Sequence, residues 1–108
     1  MSDIDIDLAG ETFSLRCTLG AFKAIPAQFG GFVGAFRRLA EVDVEAAAFM
    51  IAAGTGKQKN SKERDRILER LFEGGLEDAL PKLTEYLSLL SAGGAKRQEA
   101  QSEGEGER

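Results

Sequence analysis

The side chains that could do chemistry are few, and the first of them form an acidic repeat near the N-terminus. Asp3, Asp5 and Asp7 alternate with apolar residues in the stretch DIDID. An EF-hand calcium loop opens with such carboxylates, but it also needs a glycine at its sixth position and a bidentate glutamate at its twelfth. Leu8 and Ser14 stand there instead. The repeat therefore predicts the wet face of a β-strand and no calcium site.

The stretch GTGK, Gly54 to Lys57, is similar to part of a phosphate-binding loop. Such a loop needs a glycine five positions before its second glycine, and Ser or Thr after its lysine. Ile51 and Gln58 occupy those places, and an Ala-rich helical segment precedes the stretch where a strand is required. The composition of residues 54–62 predicts an ordinary loop without a nucleotide.

The chain has no histidine and one cysteine, Cys17. The lack of histidine excludes Ser–His and Cys–His nucleophile pairs and removes the commonest metal ligand. Cys17 falls on the expected inward face of a strand, where a thiol is usually buried and inert. The residues therefore predict a protein that is not an enzyme and that needs no metal or cofactor.

A basic segment, residues 57–70, is the remaining charged feature. It holds six basic and three acidic residues, a net charge of +3, in a chain whose net charge is −4. A basic helix can bind phosphates, but interleaved acids pair with the cations and weaken their field. The segment predicts a solvated helix face after a basic loop. A small nucleic-acid-binding regulator that uses residues 57–70 stays open as the alternative function.

Two segments of alternating apolar and polar residues predict a β-hairpin within residues 3–18. The apolar members are Ile4, Ile6, Leu8, Phe13, Leu15 and Cys17. A type II′ turn at Gly10–Glu11 would pair Leu8 with Phe13. Asp5 would then face Arg16 on the exposed side. Because a lone hairpin is only marginally stable, its apolar face must pack on helices.

The apolar spacing of residues 19–91 predicts four to five helices. The expected helices run from Thr18 as cap to Gly30–Gly31, from Phe32 to Ala40, from Val44 to Ala53 after an Asp43 cap, and from Lys62 to Phe72 after a Ser61 cap. An apolar helical face from Leu76 ends the domain at Ser91 to Gly94, with its first turn as a separate lead-in and the regular helix starting near Pro81. Pro26 should kink or shorten the first helix. Val33 and Phe72 are expected on inward faces. Residues 1–92 should thus form a single α+β domain, a hairpin on a small helical bundle.

The chain ends in a polar segment, residues 93–108, which has no apolar periodicity and is expected to be a disordered tail. The first ten residues are acidic where a signal peptide would be basic. The most apolar window, residues 19–36, is interrupted by Lys23, Pro26 and Gln28, so no membrane span is expected. These features predict a cytoplasmic protein.

Four phenylalanines, Phe22, Phe29, Phe32 and Phe36, flank a glycine-rich corner between the first two helices. Phenylalanine at helical spacing is usually core. The glycines at 30, 31 and 34 predict a flexible corner, however, and its rings do not all need to fit inside. A partly exposed aromatic patch there would be a docking surface, with Phe29, Phe32 and Phe36 as its partner-binding residues.

The stretch LAGETFSLRCTLGAFKAIPAQFG, residues 8–30, resembles the opening of small proteins encoded with the tail genes of gene transfer agents and related long-tailed phages. That family shares a strand, a turn with glycine, a second strand and a helix opened by Thr-Leu-Gly. The matching residues are Gly10, Phe13, Leu15, Arg16, Thr18, Leu19, Gly20 and Ala21. Pro26 and the basic loop at 56–62 depart from the family pattern.

The resemblance implies a non-catalytic tail assembly chaperone in the cytoplasm of a bacterial host cell. Its implied partner is the tape-measure protein, with tail tube subunits as a further contact during tail assembly. A protein that coats a long helical client needs exposed apolar surface between helices, a solubilising net charge and no active site. The residues are compatible with that function, and they leave self-association open.

Overall fold

The computed structural model describes residues 4–92, in which an N-terminal β-hairpin packs on five α-helices. The strands are β1 (Ile4–Leu8) and β2 (Glu11–Leu15), and the helices are α1 (Leu19–Phe29), α2 (Phe32–Ala40), α3 (Val44–Gly54), α4 (Ser61–Arg70) and α5 (Leu76–Ser91). The segment Leu71–Gly75, which we call the π-turn, joins α4 to α5 through a kink at Gly74. The predicted α+β fold is confirmed, while the expected tail at 93–108 lies outside the described residues.

The hairpin has the predicted alternation but a different turn. Ile6 pairs with Phe13, so the two-residue loop is Ala9–Gly10, and both of its residues have positive φ, 51° and 90°. Positive φ at both central positions is the mark of a type I′ turn. The predicted II′ turn at Gly10–Glu11 and the pair between Leu8 and Phe13 are therefore wrong. Because the register moves by two residues, the same side chains still face inward.

Hydrogen bonds on the exposed face account for this register. The Ser14 hydroxyl donates to Oδ1 of Asp5 at 2.7 Å, and the Thr12 hydroxyl donates to Oδ1 of Asp7 at 2.5 Å. Asp5 thus faces Ser14, and the expected pairing with Arg16 is wrong. The four side chains form two cross-strand polar pairs, which stabilise an antiparallel ribbon.

The hairpin meets the helices at two glycines. A Cβ on Gly54, the last residue of α3, would lie 2.8 Å from Cδ2 of Leu15. A Cβ on Gly75, just before α5, would lie 2.5 Å from Cδ2 and 3.0 Å from Cα of Leu8. Interiors are packed too densely to absorb such overlaps without movement. Glycine at both positions therefore lets the strands lie directly on the helix backbone.

Arg16 extends this attachment through its backbone. Its N–H donates to the carbonyl of Gly54 at 3.0 Å, and its carbonyl accepts from the Tyr86 hydroxyl at 2.6 Å. Tyr86 is buried on α5, and burial raises the pKa of its hydroxyl, which keeps it protonated as a donor. The residue after β2 is thus bonded to α3 and α5 at once. Cys17, expected inside the strand, lies beyond its end and is half-buried against the core.

α3 is the central helix and contacts the other four helices and β2. Its buried residues are Ala46, Ala47, Ala48, Met50, Ile51, Ala52, Ala53 and Gly54. Small side chains on all sides allow several neighbours to approach one helix. The predicted cap is confirmed, since Oδ1 of Asp43 accepts from the N–H of Ala46 at 3.1 Å.

α1 and α2 have the predicted bounds. The Thr18 hydroxyl oxygen accepts from the N–H of Ala21 at 3.1 Å, and α1 ends where Gly30 takes a left-handed conformation with φ of 74°. α1 continues through Pro26 to Phe29, so the proline does not shorten it.

The junction between α4 and α5 differs most from expectation. The N-terminal cap of α4 is Asn60 and not the predicted Ser61. Its Oδ1 accepts from the N–H of Glu63 at 3.1 Å. α4 ends at Arg70, and Phe72 in the following π-turn is 91% exposed rather than inward. The chain bends here because Gly75 packs against the hairpin. Gly74 next to it has a non-helical φ of 138°.

α5 begins at Leu76, so the predicted start near Pro81 is wrong. The first turns stay helical because Ala79 and Leu83 are buried against the core on either side of the proline. Pro81 itself is exposed within the helix. Tertiary packing thus overrides the local preference of proline for a helix start.

Replacing Gly54 or Gly75 with alanine should lower the free energy of unfolding by about 1–3 kcal/mol each, the usual cost of overpacking. The added methyl would overlap Leu15 or Leu8. Urea unfolding of the purified variants measures the effect. Gly20→Ala in α1 is the matched control, because its Cβ would lie 3.8 Å from the nearest atom, Oγ1 of Thr18. Wild-type stability in both test variants would contradict the packing account.

Candidate functional site

Three of the exposed large apolar residues, Leu19, Phe22 and Val33, lie on α1 and α2. With Phe29, Phe32 and Phe36 they form a group that we call the α1–α2 corner. Leu19 is 71% exposed, Val33 73% and Phe22 40%. The other three are half-buried and pack against the core. The three predicted partner-binding phenylalanines are thus half-buried on or at the end of α1 and α2, and the same two helices carry three exposed apolar side chains.

Two aromatic contacts organise the corner. The rings of Phe22 and Phe32 lie 5.7 Å apart between centroids and tilt by 43°, which joins α1 to α2 at the surface. The ring of Phe29 meets that of Phe49 edge-on at 5.6 Å, and the Arg38 guanidinium lies 5.7 Å from the Phe29 centroid. Phe29 is thus held from two sides, while Phe22 and Phe32 form the more open pair.

A close backbone contact sets the angle of the corner. A Cβ on Gly34 of α2 would overlap the carbonyl oxygen of Phe29 at the end of α1. The third glycine of the corner therefore serves tight packing between two helices. The corner combines a fixed backbone with exposed apolar side chains.

Val33 was expected on an inward face, and neither Leu19 nor Phe22 was predicted as a partner-binding residue; all three are exposed. The buried face of α1 is formed by Ala21 and Ile25, which are four residues apart. Leu19 lies four residues before the exposed Lys23, and this spacing could have shown that the two share an outer face. On α2 the buried residues are Ala35 and Leu39, so Val33 lies on the exposed side.

The features that suggested ion or nucleotide chemistry have structural roles. Lys57 follows α3, and its N–H donates to the carbonyl of Ala52 at 2.7 Å. Gly54 packs on the hairpin, so the stretch GTGK forms no phosphate cradle after a strand. Within residues 4–92, no three His, Cys, Asp or Glu side chains are grouped so as to hold a metal ion.

The basic segment is partly used to hold the hairpin. Arg66 donates through Nη1 to both carboxylate oxygens of Glu11, at 2.5 and 2.6 Å, and through Nη2 to Glu63 at 2.6 Å. Its guanidinium also lies 5.3 Å from the ring centroid of Phe13. Nε of Arg70 lies 3.2 Å from Oε1 of Glu11. These two arginines therefore bind the turn end of the hairpin to α4.

Three lysines, Lys57, Lys59 and Lys62, remain exposed around the loop before α4. They line an open depression together with Gly56, Gln58, Asn60 and Ser61. Their side chains form no ion pair within residues 4–92. The cationic surface of the segment is thus centred on these three side chains.

A second apolar surface lies at the bend between α4 and α5. We call it the α4–α5 groove, a concavity of about 530 Å³ lined by Val44, Leu68, Leu71, Phe72, Gly74, Leu76 and Glu77. Glu77 is its single charged lining side chain. The near absence of polar groups distinguishes the groove from sites that orient a small polar ligand.

Comparisons with protein-family models, with curated proteins and with solved structures find no match for this chain. The likeness to gene transfer agent tail proteins therefore rests on the residues between Leu8 and Gly30. Among the matched apolar residues, Phe13, Leu15 and Ala21 are buried and Leu19 is exposed. No helix within residues 4–92 is both long enough and apolar enough to cross a membrane.

The Glu11–Arg66 contact predicts acid sensitivity. Hydrogen bonding from Arg66 lowers the pKa of Glu11 below its ordinary value of 4.5, so the ionised form stabilises the fold above that value. This stabilisation is lost as pH falls through the lower folded-state pKa. Glu11→Gln should be less stable than wild type at about pH 7 and should lose less stability between about pH 5 and pH 3.

Urea unfolding across that pH range measures both effects. Hydrogen bonding from Arg66 also lowers the pKa of Glu63, so some acid sensitivity should persist in Glu11→Gln. Glu69→Gln is the matched control, since Glu69 is exposed and forms no ion pair within residues 4–92. Equal acid losses for wild type and Glu11→Gln would contradict the assigned contact.

Proposed function

We propose that this chain is a non-catalytic tail assembly chaperone that binds the tape-measure protein in the cytoplasm of a bacterial host. The α1–α2 corner is the observation that carries the proposal. The exposed Phe22 contacts the half-buried Phe32, and Leu19 and Val33 expose apolar side chains on the same two helices. Several exposed large apolar side chains on adjoining helices are typical of sites that bind other proteins.

The corner suits a helical client. An amphipathic helix binds by laying its apolar face into a groove between helices, and α1 and α2 provide two adjoining helices with apolar side chains between them. Burial of this surface would contribute roughly 25 cal/mol per Å². Lys23 and Arg37 are exposed beside the apolar residues and can contact acidic side chains of the client. Tail tube subunits are proposed as a further contact of the same surface.

The nucleic-acid alternative is less well supported by the geometry. Arg66 and Arg70 are engaged with Glu11 and Arg64 is half-buried, which leaves Lys57, Lys59 and Lys62 as the exposed cations of the segment. Affinity for duplex DNA depends on the number of phosphates neutralised. Three lysines beside a net charge of −4 give a weak electrostatic site.

Gene order provides the first test of the chaperone proposal. A gene for a long helical tape-measure protein should lie beside the gene for this chain, and its product should co-purify with the chain on co-expression. Val33→Ser and Phe32→Ser should each reduce the co-purified client by about tenfold, as for central interface residues. Phe36→Ser should also weaken binding.

Val33→Ser separates client binding from folding, because Val33 is largely exposed. Its replacement should change the free energy of unfolding by less than about 0.5 kcal/mol. Phe13→Ser is the contrasting variant. It removes a buried ring from the hairpin and should lower the melting temperature more than any corner variant. Undiminished client binding by Val33→Ser and Phe32→Ser would contradict the assignment of the corner.

Binding to duplex DNA separates the two functions. Titration of a fluorescent duplex at low salt should show no binding at micromolar protein. Strong binding that falls steeply with salt and is lost in a Lys57→Gln, Lys59→Gln and Lys62→Gln triple variant would favour the regulator. The matched control is Lys23→Gln, which changes a cation on α1.

A further inference from the structure

Phe72 is the most exposed large apolar side chain of the described residues, at 91%. Its position follows from the bend between α4 and α5, where the chain forms a π-turn and Gly75 packs on Leu8. The bend that seats the hairpin thus also presents a phenylalanine to solvent at the edge of the α4–α5 groove.

The walls of the groove come from three helices and the π-turn between two of them. Leu68 and Leu71 line it from α4 and the π-turn, Leu76 from the start of α5, and Val44 from the start of α3. Val44 is also partly exposed, at 39%. The surface is therefore a cleft between helix ends with apolar walls and an aromatic edge. It has the form that accepts the apolar face of an amphipathic helix.

Four acidic residues line the groove or adjoin its lining residues in sequence, and we call them its acidic rim. Glu77 lines the groove, and the exposed residues Glu45, Glu73 and Asp78 lie next in sequence to lining residues. Two of the elements begin here, and a helix N-terminus contributes about half a positive charge, so two offset only about one of these four carboxylates. The groove consequently retains a negative rim.

Nearby cations do not neutralise that rim. Arg70 lies 3.6 Å from Glu73 but also contacts Glu11 of the hairpin, and Lys82 donates to the backbone carbonyl of Asp5. Within residues 4–92, Glu45, Glu77 and Asp78 form no ion pair. The unpaired carboxylates favour an occupant that brings its own positive charge.

Two occupants fit this chemistry poorly. The segment 93–108 contains no Leu, Ile, Val, Met or aromatic residue, so it has no side chain to fill an apolar cleft. A symmetric dimer through the groove would bring two acidic rims together, and like charges at an interface cost several kcal/mol. A partner that brings both large apolar side chains and positive charge fits the cleft and its carboxylates.

We propose that the α4–α5 groove binds an amphipathic helix of another protein, one that inserts large apolar side chains beside Phe72 and carries Lys or Arg along its flanks. This site is separate from the α1–α2 corner and does not depend on the identity of the client proposed for that corner.

A pair of synthetic helical peptides tests the site. Both carry Leu at positions i, i+3, i+4 and i+7; one has Lys and the other Glu at the flanking positions. In amide NMR titrations of the whole chain at low salt, the Lys peptide should shift the resonances of residues 44, 68–77 and their neighbours. It should bind at least about tenfold more tightly than the Glu peptide.

Three variants make the test decisive. Phe72→Ser should weaken binding of the Lys peptide by about tenfold. Because Phe72 is exposed, the variant should keep the fold. Glu73→Lys with Glu77→Lys should reverse the preference toward the Glu peptide. Val33→Ser, which changes an exposed apolar residue at the corner, should bind the Lys peptide as tightly as wild type does. Failure of the groove proposal is therefore distinguishable from failure of the client site proposed at the corner.

Several results would overturn the proposal. These are equal affinity for both peptides, no binding of either, shifts confined to residues 19–36, or undiminished binding by Phe72→Ser. Sedimentation of the chain without peptide measures whether it associates with itself. Concentration-dependent self-association that Phe72→Ser abolishes would identify a second copy of this chain as the occupant in place of a basic partner.

Discussion

Leu8 and Leu15 lie directly on the backbone of the helical layer, at Gly75 and Gly54, where no side chain intervenes. A two-stranded ribbon is marginal alone, so this contact is what makes the hairpin part of the fold. The backbone of Arg16 and the buried Tyr86 hydroxyl add hydrogen bonds at the same contact between hairpin and helices. This contact joins the hairpin to α3 and α5, which are distant from it in sequence, and thereby closes the core.

Both exposed apolar surfaces are continuous with this core, since Leu71 and the half-buried corner phenylalanines belong to it or pack against it. The bend at the π-turn seats Gly75 against the hairpin and turns Phe72 outward. At the α1–α2 corner, Gly34 fixes the helix contact while Leu19 and Val33 point away from the buried residues. Rigid backbone under exposed apolar side chains reduces the entropy lost on binding, which favours a preorganised docking surface. The proposed function depends on that combination.

Local patterns carried much of the fold. Strand alternation and the caps Thr18 and Asp43 follow from residues close in sequence, and all appear in the structure. The hairpin register did not follow, because two registers place the same side chains inward and contacts such as Glu11 with Arg66 form across the chain. The exposure of Phe72 likewise depends on the contact of Gly75 with Leu8. For the candidate site, the grouping of the corner phenylalanines was predictable, whereas the exposure of Leu19 and Val33 required knowing which helix faces pack inward.

Amide hydrogen exchange of the chain, alone and bound to the proposed tape-measure client, tests the central claim that this molecule works by offering apolar surface to another polypeptide. The account predicts slower exchange across residues 19–36 in the complex, with β1 and β2 unchanged because they are already packed on the helices. Unchanged exchange at residues 19–36 in a complex that does form, with new protection confined to the loop at 57–62, would contradict it.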